Sequence, residues 1–211
     1  MKKQFLKRYQ REYRGSKSRS EAASDPFKLF KSWYKAAVKA KLREPNAMTL
    51  ATADAKGKPS TRMVLLKSFN KDGFVFFTNY RSRKGRNISQ NPNVALCFYW
   101  DKLERQVRIE GKIALIDSAE SDLYFYSRPL GAQFAAAISQ QSKECTSLEI
   151  LERKLAFIIS RQKSVTRPSH WGGYKVIPSY FEFWEGRPNR LHERIAFKRS
   201  TNRWRRFYLQ P

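Results

Sequence analysis

The feature that most limits how this chain can fold is a series of short segments rich in β-branched and aromatic residues, separated by turns. Five such segments lie in the first half of the chain: AMTLATA (47–53), STRMVLLK (60–67), FVFFTN (74–79), VALCFYW (94–100) and RQVRIEGKIALI (105–116). Turn residues at 54–57 and at Asp72-Gly73 separate the first three. Runs of this kind are typical of antiparallel strands joined by hairpins. We therefore predict a mainly β fold with flanking helices, built as a small barrel or a sandwich.

Helical patterns interrupt and follow this series. Asp25-Pro26 combines an N-cap residue with proline at the first helical position, and it predicts an amphipathic helix over about 26–42. Residues 81–92 predict a basic loop entering a short helix that stops at Pro92. Capping-box spacing after residue 116, at 117–120 and 146–149, predicts a helical annex.

Strand-forming residues return after Pro168, in GYKVI, YFEFWEG, RIAFKRS and RWRRFYL. We expect these segments to close the barrel begun in residues 47–116. The predicted organisation is a flexible basic segment over 1–24 and a single domain over 25–211, with the helical annex at about 117–163.

The charge of the chain is strongly positive. It carries 43 lysines and arginines against 18 aspartates and glutamates, a formal net charge of +25. Such a field attracts anions of many kinds. Nucleic acid, an anionic membrane and phosphorylated small molecules therefore all remain open as partners at this point.

Cysteine and histidine are scarce. Cys97, Cys145, His170 and His192 are the only residues of these types, so we expect neither a disulfide framework nor a metal site. The chain has no run of about 18 apolar residues, and its first residues lack the apolar centre of a secretion signal. We expect a soluble cytoplasmic protein without a membrane partner.

A phosphorylated ligand would have to be held by side chains, because no glycine-rich phosphate-binding loop is present. Alternation along 60–67 puts Arg62 and Lys67 on opposite faces, which would suit two neighbouring anionic ligands. Arg83 and Lys84 stand at the start of a predicted helix, where free N–H groups bind phosphate. Taken alone, Arg62 and Lys67 are better explained as solvated charges at the ends of a strand.

Other candidates are polar or aromatic. A strand over 190–194 would put Arg190, His192 and Arg194 on one face as a row of donors, although a basic edge strand explains them as well. Tyr124 and Arg128 are four residues apart on a predicted helix, so they share a face that could grip one anion. The remaining candidates carry little weight singly: Trp184, Gln106, Gln141 and Ser142.

In their order along the chain, these residues lie in a series of recognisable motifs. The motifs are REY (11–13), DPFKLF (25–30), RMVLLK (62–67), FFTNYRSRKGRNI (76–88), LERQVRIEG (103–111), YFYSRP (124–129), SQQS (139–142), HWGGY (170–174) and EFWEGRPNRLHER (182–194). The series resembles the pyridoxamine 5′-phosphate oxidase family from about Arg11 to Pro211. The resemblance implies an FMN-binding split β-barrel, Greek-key-like and antiparallel, that works as a homodimer with FMN at the subunit interface.

The resemblance also implies roles for individual residues. The matching FMN contacts are Arg62, Met63, Val64, Leu65, Leu66, Lys67, Phe77, Thr78, Arg83, Lys84, Gln106, Gln141, Ser142, Trp184 and Arg194. The matching substrate contacts are Lys67, Tyr124, Arg128, Ala132, Arg190, Leu191 and His192, of which Arg190 and His192 are the implied catalytic pair. Ala132 departs from the family, which usually has a serine there, and we expect weaker substrate binding as a result.

The implied reaction converts pyridoxine or pyridoxamine 5′-phosphate into pyridoxal 5′-phosphate. A hydride passes from the C4′ carbon of the substrate to flavin N5, dioxygen is reduced to hydrogen peroxide, and the amine substrate releases ammonia. The residues also leave two alternative functions open. The chain could be a basic barrel that binds single-stranded nucleic acid, or a related flavin reductase. The resemblance implies no specific nucleic-acid partner, and the candidate phosphate grip disfavours the reductase.

Overall fold

The computed structural model describes Tyr13, residues 23–201 and residues 203–211. Most of the predicted flexible segment over residues 1–24, including Arg11, therefore lies outside the described residues.

The described residues form five α-helices and nine strands. The helices are α1 (Pro26–Lys39), α2 (Arg83–Gln90), α3 (Ser118–Tyr126), α4 (Leu130–Ile138) and α5 (Leu148–Arg161). The strands are β1 (Ala47–Ala53), β2 (Pro59–Leu65), β3 (Ser68–Asn70), β4 (Gly73–Asn79), β5 (Asn93–Trp100), β6 (Arg105–Leu115), β7 (Trp171–Glu185), β8 (Glu193–Ser200) and β9 (Arg203–Tyr208).

The strands build one antiparallel sheet that curls on itself. Its order is β2-β1-β5-β6-β7-β4-β3, and β8 and β9 extend it from β7. The two ends of this path, β2 and β3, are consecutive in the chain and are joined through Leu66 and Lys67. The Lys67 amide donates a hydrogen bond to the Val75 carbonyl at 2.9 Å, which ties the joint to β4. The predicted split barrel with flanking helices is confirmed.

Strand β7 is the longest element of the sheet, and it merges two strands that the sequence predicts separately. Its first half pairs with β4 and its second half with β8, while β6 runs along both halves. The register shifts where Gly111 faces Pro178, because Ser179 is an extra residue at that point. A side chain on Gly111 would place its Cβ 2.1 Å from the Ile177 carbonyl oxygen. Glycine therefore permits the close approach that keeps β7 continuous.

The core lies between the sheet and α1. Phe30 on α1 is fully buried, and its ring packs edge to face against Phe69, Phe74 and Phe98 at 4.8–5.1 Å. Each such buried aromatic side chain contributes about 1.5–3 kcal/mol. Asp25 accepts hydrogen bonds from the amides of residues 27 and 28, which confirms the predicted start of this helix.

The ends of two other helices differ from prediction. The last long helix is capped by Ser147, whose hydroxyl accepts from the Glu149 amide, so the cap lies one residue later than the capping-box spacing indicates. Helix α3 ends at Tyr126, before Arg128. In the described part of the chain, no helix has the length and apolar character needed to cross a membrane.

Candidate active site

A cleft of about 760 Å³ opens beside the edge strand β2. It is bounded by β2, β4, the end of α3, α4 and the segment that follows α4. Its lining residues are Arg62, Met63, Val64, Leu65, Lys67, Phe77, Thr78, Asn79, Lys84, Tyr124, Arg128, Ala135, Ala136, Ser139, Gln141, Ser142 and Trp171. The cleft therefore brings together most of the residues that the sequence nominated for an anionic ligand.

Strand β2 contributes both of its faces to this cleft. Arg62 and Val64 are half-buried and alternate with the exposed Met63 and Leu65, as predicted. Among the described strands β2 pairs only with β1, and side chains from both of its faces line the cleft at its other edge. The predicted alternation is confirmed for this strand.

The cations at one end of the cleft are close together and lack carboxylate partners. Arg62 donates from Nη1 to Thr52 Oγ1 at 2.7 Å and from Nη2 to Ser60 Oγ at 2.6 Å. Lys84 donates from Nζ to Gln141 Oε1 at 3.0 Å and to Thr78 Oγ1 at 3.1 Å. No ion pair of the described residues includes Arg62, Lys84 or Arg83. This end of the cleft therefore has positive charge that a bound anion would neutralise.

Burial and mutual repulsion make the charged forms of Lys84 and Arg62 less favourable. Burial, and secondly the charge of Arg62, lower the pKa of Lys84 to about 8. Burial, and secondly Arg83, also lower the pKa of Arg62. Buried cations held beside one another favour the uncharged form unless an anion binds. A phosphate group is therefore well suited to this position.

An aromatic stack forms the other end of the cleft. The rings of Phe77 and Tyr124 stack with centroids 3.9 Å apart, and the Trp171 ring lies 5.6 Å from Phe77. Gly173 makes room for the stack, since a Cβ there would lie 2.9 Å from the Phe77 ring. Gly173 in the HWGGY motif is therefore a packing position.

Two cations border this stack. Lys67 Nζ lies 5.5 Å from the centroid of the Tyr124 ring, and the Arg128 guanidinium lies 4.7 Å from that of Trp171. Arg128 Nη1 is buried and has no hydrogen-bond partner in the described part of the chain, and burial lowers the pKa of this side chain. A buried donor without an acceptor costs about 1–3 kcal/mol. This donor points to an anionic acceptor that binds here.

A second group of nominated residues lies near the C-terminal end of β7. Its members are Gln106, Trp184, Arg190, Leu191, His192 and Arg194. Gln106, Trp184 and Arg194 are side by side on β6, β7 and β8. The His192 ring is 4.7 Å from that of Trp184 and 5.3 Å from that of Tyr13. Trp184 and His192 therefore pack together, and Tyr13 is a neighbour that the sequence did not single out as a contact.

The predicted strand over 190–194 is wrong in its first half. Pro188–Arg190 form a 3₁₀ turn, and Asn189 and Arg190 have φ values of 56° and 63°. Strand β8 begins only at Glu193, so Arg190, His192 and Arg194 do not form a row on one strand face. Arg190 and Leu191 are exposed in the turn.

The turn does fix the orientation of His192. The Arg187 amide donates to His192 Nδ1 at 3.1 Å, so in the neutral ring the proton is on Nε2. Burial, and secondly Arg190, lower the pKa of His192. The neutral imidazole therefore presents an Nε2–H donor near pH 7.

The two groups of residues are well separated in one chain. One row of paired residues crosses the outer face of the sheet from Met63 through Thr49, Cys97 and Arg108 to Glu182. Met63 lines the cleft, and Glu182 is two residues from Trp184. Four strand spacings separate the ends of this row, on the order of 19 Å. Measured along the curved sheet, the cleft and the second group of one chain therefore lie four strands apart.

Besides the second group, three nominated residues lie outside the cleft lining. Arg83 is exposed at the start of α2, Leu66 belongs to the hydrophobic core, and Ala132 lies in the first turn of α4. Tyr124 and Arg128 both line the cleft, but not on one helix face, because α3 ends between them.

The lining also includes residues that the sequence did not nominate. They are Asn79, Ala135, Ala136, Ser139 and Trp171. Asn79, Ser139 and Trp171 lie within the motifs FFTNYRSRKGRNI, SQQS and HWGGY, so the motifs could have identified them as site residues. The alanines gave no such signal.

Comparison with known proteins identifies the family. Residues 34–160 match the family described as pyridoxamine 5′-phosphate oxidase, and residues 171–211 match the pyridoxine 5′-phosphate oxidase C-terminal dimerisation region. The pyridoxine/pyridoxamine 5′-phosphate oxidase of Thermosynechococcus vestitus is 53% identical over 91% of this chain and 92% of that protein. The protein of the same name from Cupriavidus metallidurans is 48% identical over 92% of each chain.

A solved structure agrees. PhzG from Burkholderia lata 383, in complex with tetrahydrophenazine-1-carboxylic acid, is 31% identical with a TM-score of 0.87, over 90% of this chain and 95% of that one. An FMN-binding protein from Nostoc punctiforme, 17% identical with a TM-score of 0.71 over 90% of this chain and all of that one, shares the fold. The chain therefore belongs to the pyridoxamine 5′-phosphate oxidase family of FMN-dependent oxidoreductases.

Proposed function

We propose that this enzyme oxidises pyridoxine 5′-phosphate or pyridoxamine 5′-phosphate to pyridoxal 5′-phosphate, as a homodimer with FMN bound at the subunit interface. Dioxygen is the electron acceptor, hydrogen peroxide is released, and the amine substrate also releases ammonia. The observation that carries the proposal is the cleft with two sets of cations: Arg62 and Lys84 at one end, and Lys67 and Arg128 at the other. Two phosphorylated ligands bound next to each other would neutralise both sets.

The residues at the first end fit the phosphate of FMN. Arg62 and Lys84 supply charge-assisted donors, and Arg83 adds positive charge close to them. Gln141 and Ser142 line the same end, and residues 63–65 and Lys67 with Phe77 and Thr78 line the path from there along the cleft. When bound, FMN supplies the redox chemistry by accepting a hydride from the substrate and passing its electrons to dioxygen.

The second end fits the phosphate of the substrate. Lys67, Tyr124 and Arg128 converge there, and Arg128 Nη1 is a buried donor with no acceptor in the described part of the chain. A phosphate oxygen would supply that acceptor. The stacked rings of Phe77 and Tyr124 limit the space beside the bound phosphate. The position of the phosphate would therefore determine how far the pyridine ring extends along the cleft.

A second copy of the chain would complete the site. Gln106, Trp184 and Arg194 lie three to five strand spacings from β2 along the sheet, on the same outer sheet face as Met63. Met63 is 61% exposed, and the nearby Tyr99 is 57% exposed. The match to the C-terminal dimerisation region covers β7 to β9, which hold much of this second group. A twofold dimer through this face would place the second group of each copy over the cleft of the other.

The second group would then cover and orient the substrate ring. His192 presents an Nε2–H donor because its Nδ1 accepts from the Arg187 amide. Arg190 adds an exposed cation from the adjoining turn, and Leu191 is 71% exposed beside it. We propose that Arg190 and His192 hold the reacting carbon of the substrate in place and exclude water from it.

The test is anaerobic addition of pyridoxine 5′-phosphate to the purified yellow protein. Bleaching of the flavin absorbance supports the proposal. A protein that holds flavin but is not bleached would point instead to a reductase, and a protein without flavin that binds single-stranded nucleic acid in a salt-sensitive way would refute the enzyme assignment. The tetrahydrophenazine-1-carboxylic acid bound in the PhzG structure provides a comparison compound without a phosphate group.

A variant separates the two residue groups. Arg190→Ala should slow bleaching greatly while FMN stays bound, because Arg190 is outside the cleft that holds the cofactor. Loss of FMN from this variant would show that the division of roles is wrong. The cytoplasmic location expected from the sequence remains part of the proposal.

A further inference from the structure

Glu182 is a buried carboxylate between two arginines on the outer face of the sheet. Its side chain is only 3% exposed. Arg108 on β6 donates from Nη1 to Glu182 Oε2 at 3.0 Å, and Arg194 on β8 donates from Nε to Glu182 Oε1 at 2.8 Å. A buried charge is tolerated only when it is paired and hydrogen-bonded. Both arginines are therefore required to keep this carboxylate in place.

Arg194 is held from two sides. Besides its contacts with Glu182, it donates from Nη1 to the Gln210 carbonyl at 2.8 Å. Its cross-strand neighbour on β7 is Trp184. The Arg194 guanidinium is thus held beside Trp184, for which the family resemblance also implies an FMN contact.

Arg108 has no assigned role, yet it is the other half of this arrangement. It bridges Glu182 and Glu110, with Nη2 donating to Glu110 Oε1 at 2.8 Å. Glu110 is 44% exposed, so solvent screens its charge more than that of Glu182. The three groups Arg108, Glu182 and Arg194 carry a net charge of +1 between them.

From this geometry we infer that Arg108 and Glu182 are positioning residues that orient Arg194 and set the positive charge it presents to bound FMN. The inference rests on the proposed function and on the FMN contact that the family resemblance implies for Arg194. Reduced flavin carries additional negative charge, so a more positive neighbourhood stabilises it and raises the midpoint potential. Neutralising Arg108 removes positive charge from the trio, and neutralising Glu182 removes negative charge.

The two neutralising variants should therefore shift the flavin potential in opposite directions. We expect Glu182→Gln to raise the midpoint potential and Arg108→Met to lower it. Each shift should be at most about 30 mV, which for a two-electron couple is about a tenfold change in the equilibrium between oxidised and reduced flavin. The measurement is equilibration of the FMN-bound dimer with a reference dye. Arg108→Lys, which keeps the charge, should stay close to wild type.

A matched control is available on α5. Glu149 is 66% exposed and paired with Arg153, so Glu149→Gln makes the same chemical change at a solvent-screened ion pair that includes no member of the second residue group. It should leave the potential unchanged. A shift as large as that of Glu182→Gln would overturn the inference, because it would show a general effect of charge.

Shifts of the same sign in Glu182→Gln and Arg108→Met, or no shift in either, would also overturn the inference, since loss of packing alone predicts no change of sign. If Glu182→Gln does not fold, Arg108→Met decides alone, and an unchanged potential refutes the claim. A wild-type protein without FMN would refute the proposed function itself. Wild type that holds FMN and is bleached by substrate, with variants that fail the sign test, would refute only this inference.

Discussion

Lys84 makes FMN binding depend on pH in a direction that follows from the structure. Burial and Arg62 lower the pKa of Lys84 to about 8 in the ligand-free chain. A phosphate dianion beside the amine would stabilise its charged form and raise this pKa again. Binding is therefore coupled to protonation of Lys84, and FMN affinity should fall as pH rises through about 8.

The magnitude follows from the titration. The protonated fraction of an amine with a pKa of about 8 falls from about nine-tenths at pH 7 to about one-tenth at pH 9. The FMN dissociation constant should rise by at most roughly tenfold over this range, or about 1.4 kcal/mol. Partial exposure of the amine reduces the effect through solvent screening.

The assay is quenching of FMN fluorescence by apoprotein at pH 7, 8 and 9. Lys84→Arg is the control, because its guanidinium stays charged throughout and should give a nearly flat profile. Equal dissociation constants at pH 7 and pH 9 in the wild type, or an equal slope in Lys84→Arg, would refute the reasoning.

The stability of the apoprotein should increase as pH rises, whereas the FMN affinity should decrease. The folded-state pKa of Lys84 is below its ordinary value of 10.5. The charged amine therefore destabilises the fold below about pH 8, and this penalty is relieved between about pH 8 and 10.5. Relative to Lys84→Arg, the free energy of unfolding of the wild type should rise across that window, as denaturant titrations would show.

Further predictions concern the substrate end of the cleft. Arg128→Met removes the unpaired donor, so the KM for pyridoxine 5′-phosphate should rise about tenfold or more while the FMN dissociation constant is unchanged; loss of FMN would contradict this. Ala132→Ser adds a hydroxyl worth about 1–3 kcal/mol to a charged group, so KM should fall, and an unchanged KM would show that water or a neighbouring group already serves the phosphate. Gly173→Ala puts a Cβ 2.2 Å from the Ile116 side chain and should destabilise the fold by about 1–3 kcal/mol in thermal melts, whereas Gly131→Ala, with only one atom at 3.7 Å, should not; equal melting temperatures would refute the packing role.

Local patterns in the sequence predicted most of the strands. Residues 47–53 form β1 as predicted, and 94–100 and 105–116 match β5 and β6 to within one residue. The alternation of apolar and polar residues and the turn residues reflect interactions between close neighbours in sequence. They can therefore be recognised without a tertiary structure. Asp25 similarly fixed the start of α1, because a cap bonds only to the next few amides.

Predictions failed where distant contacts decide the conformation. The donor row at 190–194 was wrong because Asn189 and Arg190 adopt positive φ values, which the residue types alone do not require. β7 was predicted as two strands, GYKVI and YFEFWEG, on either side of Pro178 and Ser179, but Gly111 on β6 lets the pairing continue through a bulge.

The sequence by itself determined the antiparallel strands, the main helices, the excess of positive charge and, through its ordered motifs, the family to which the chain belongs. Only the tertiary structure decided which cations converge: it joined Arg62 to Lys84 and Lys67 to Arg128 in one cleft, and it placed Trp184 and Arg194 outside that cleft. The physical reason is that strand pattern depends on neighbours in sequence, whereas the field at a bound phosphate depends on distances between groups that only the curled sheet brings together.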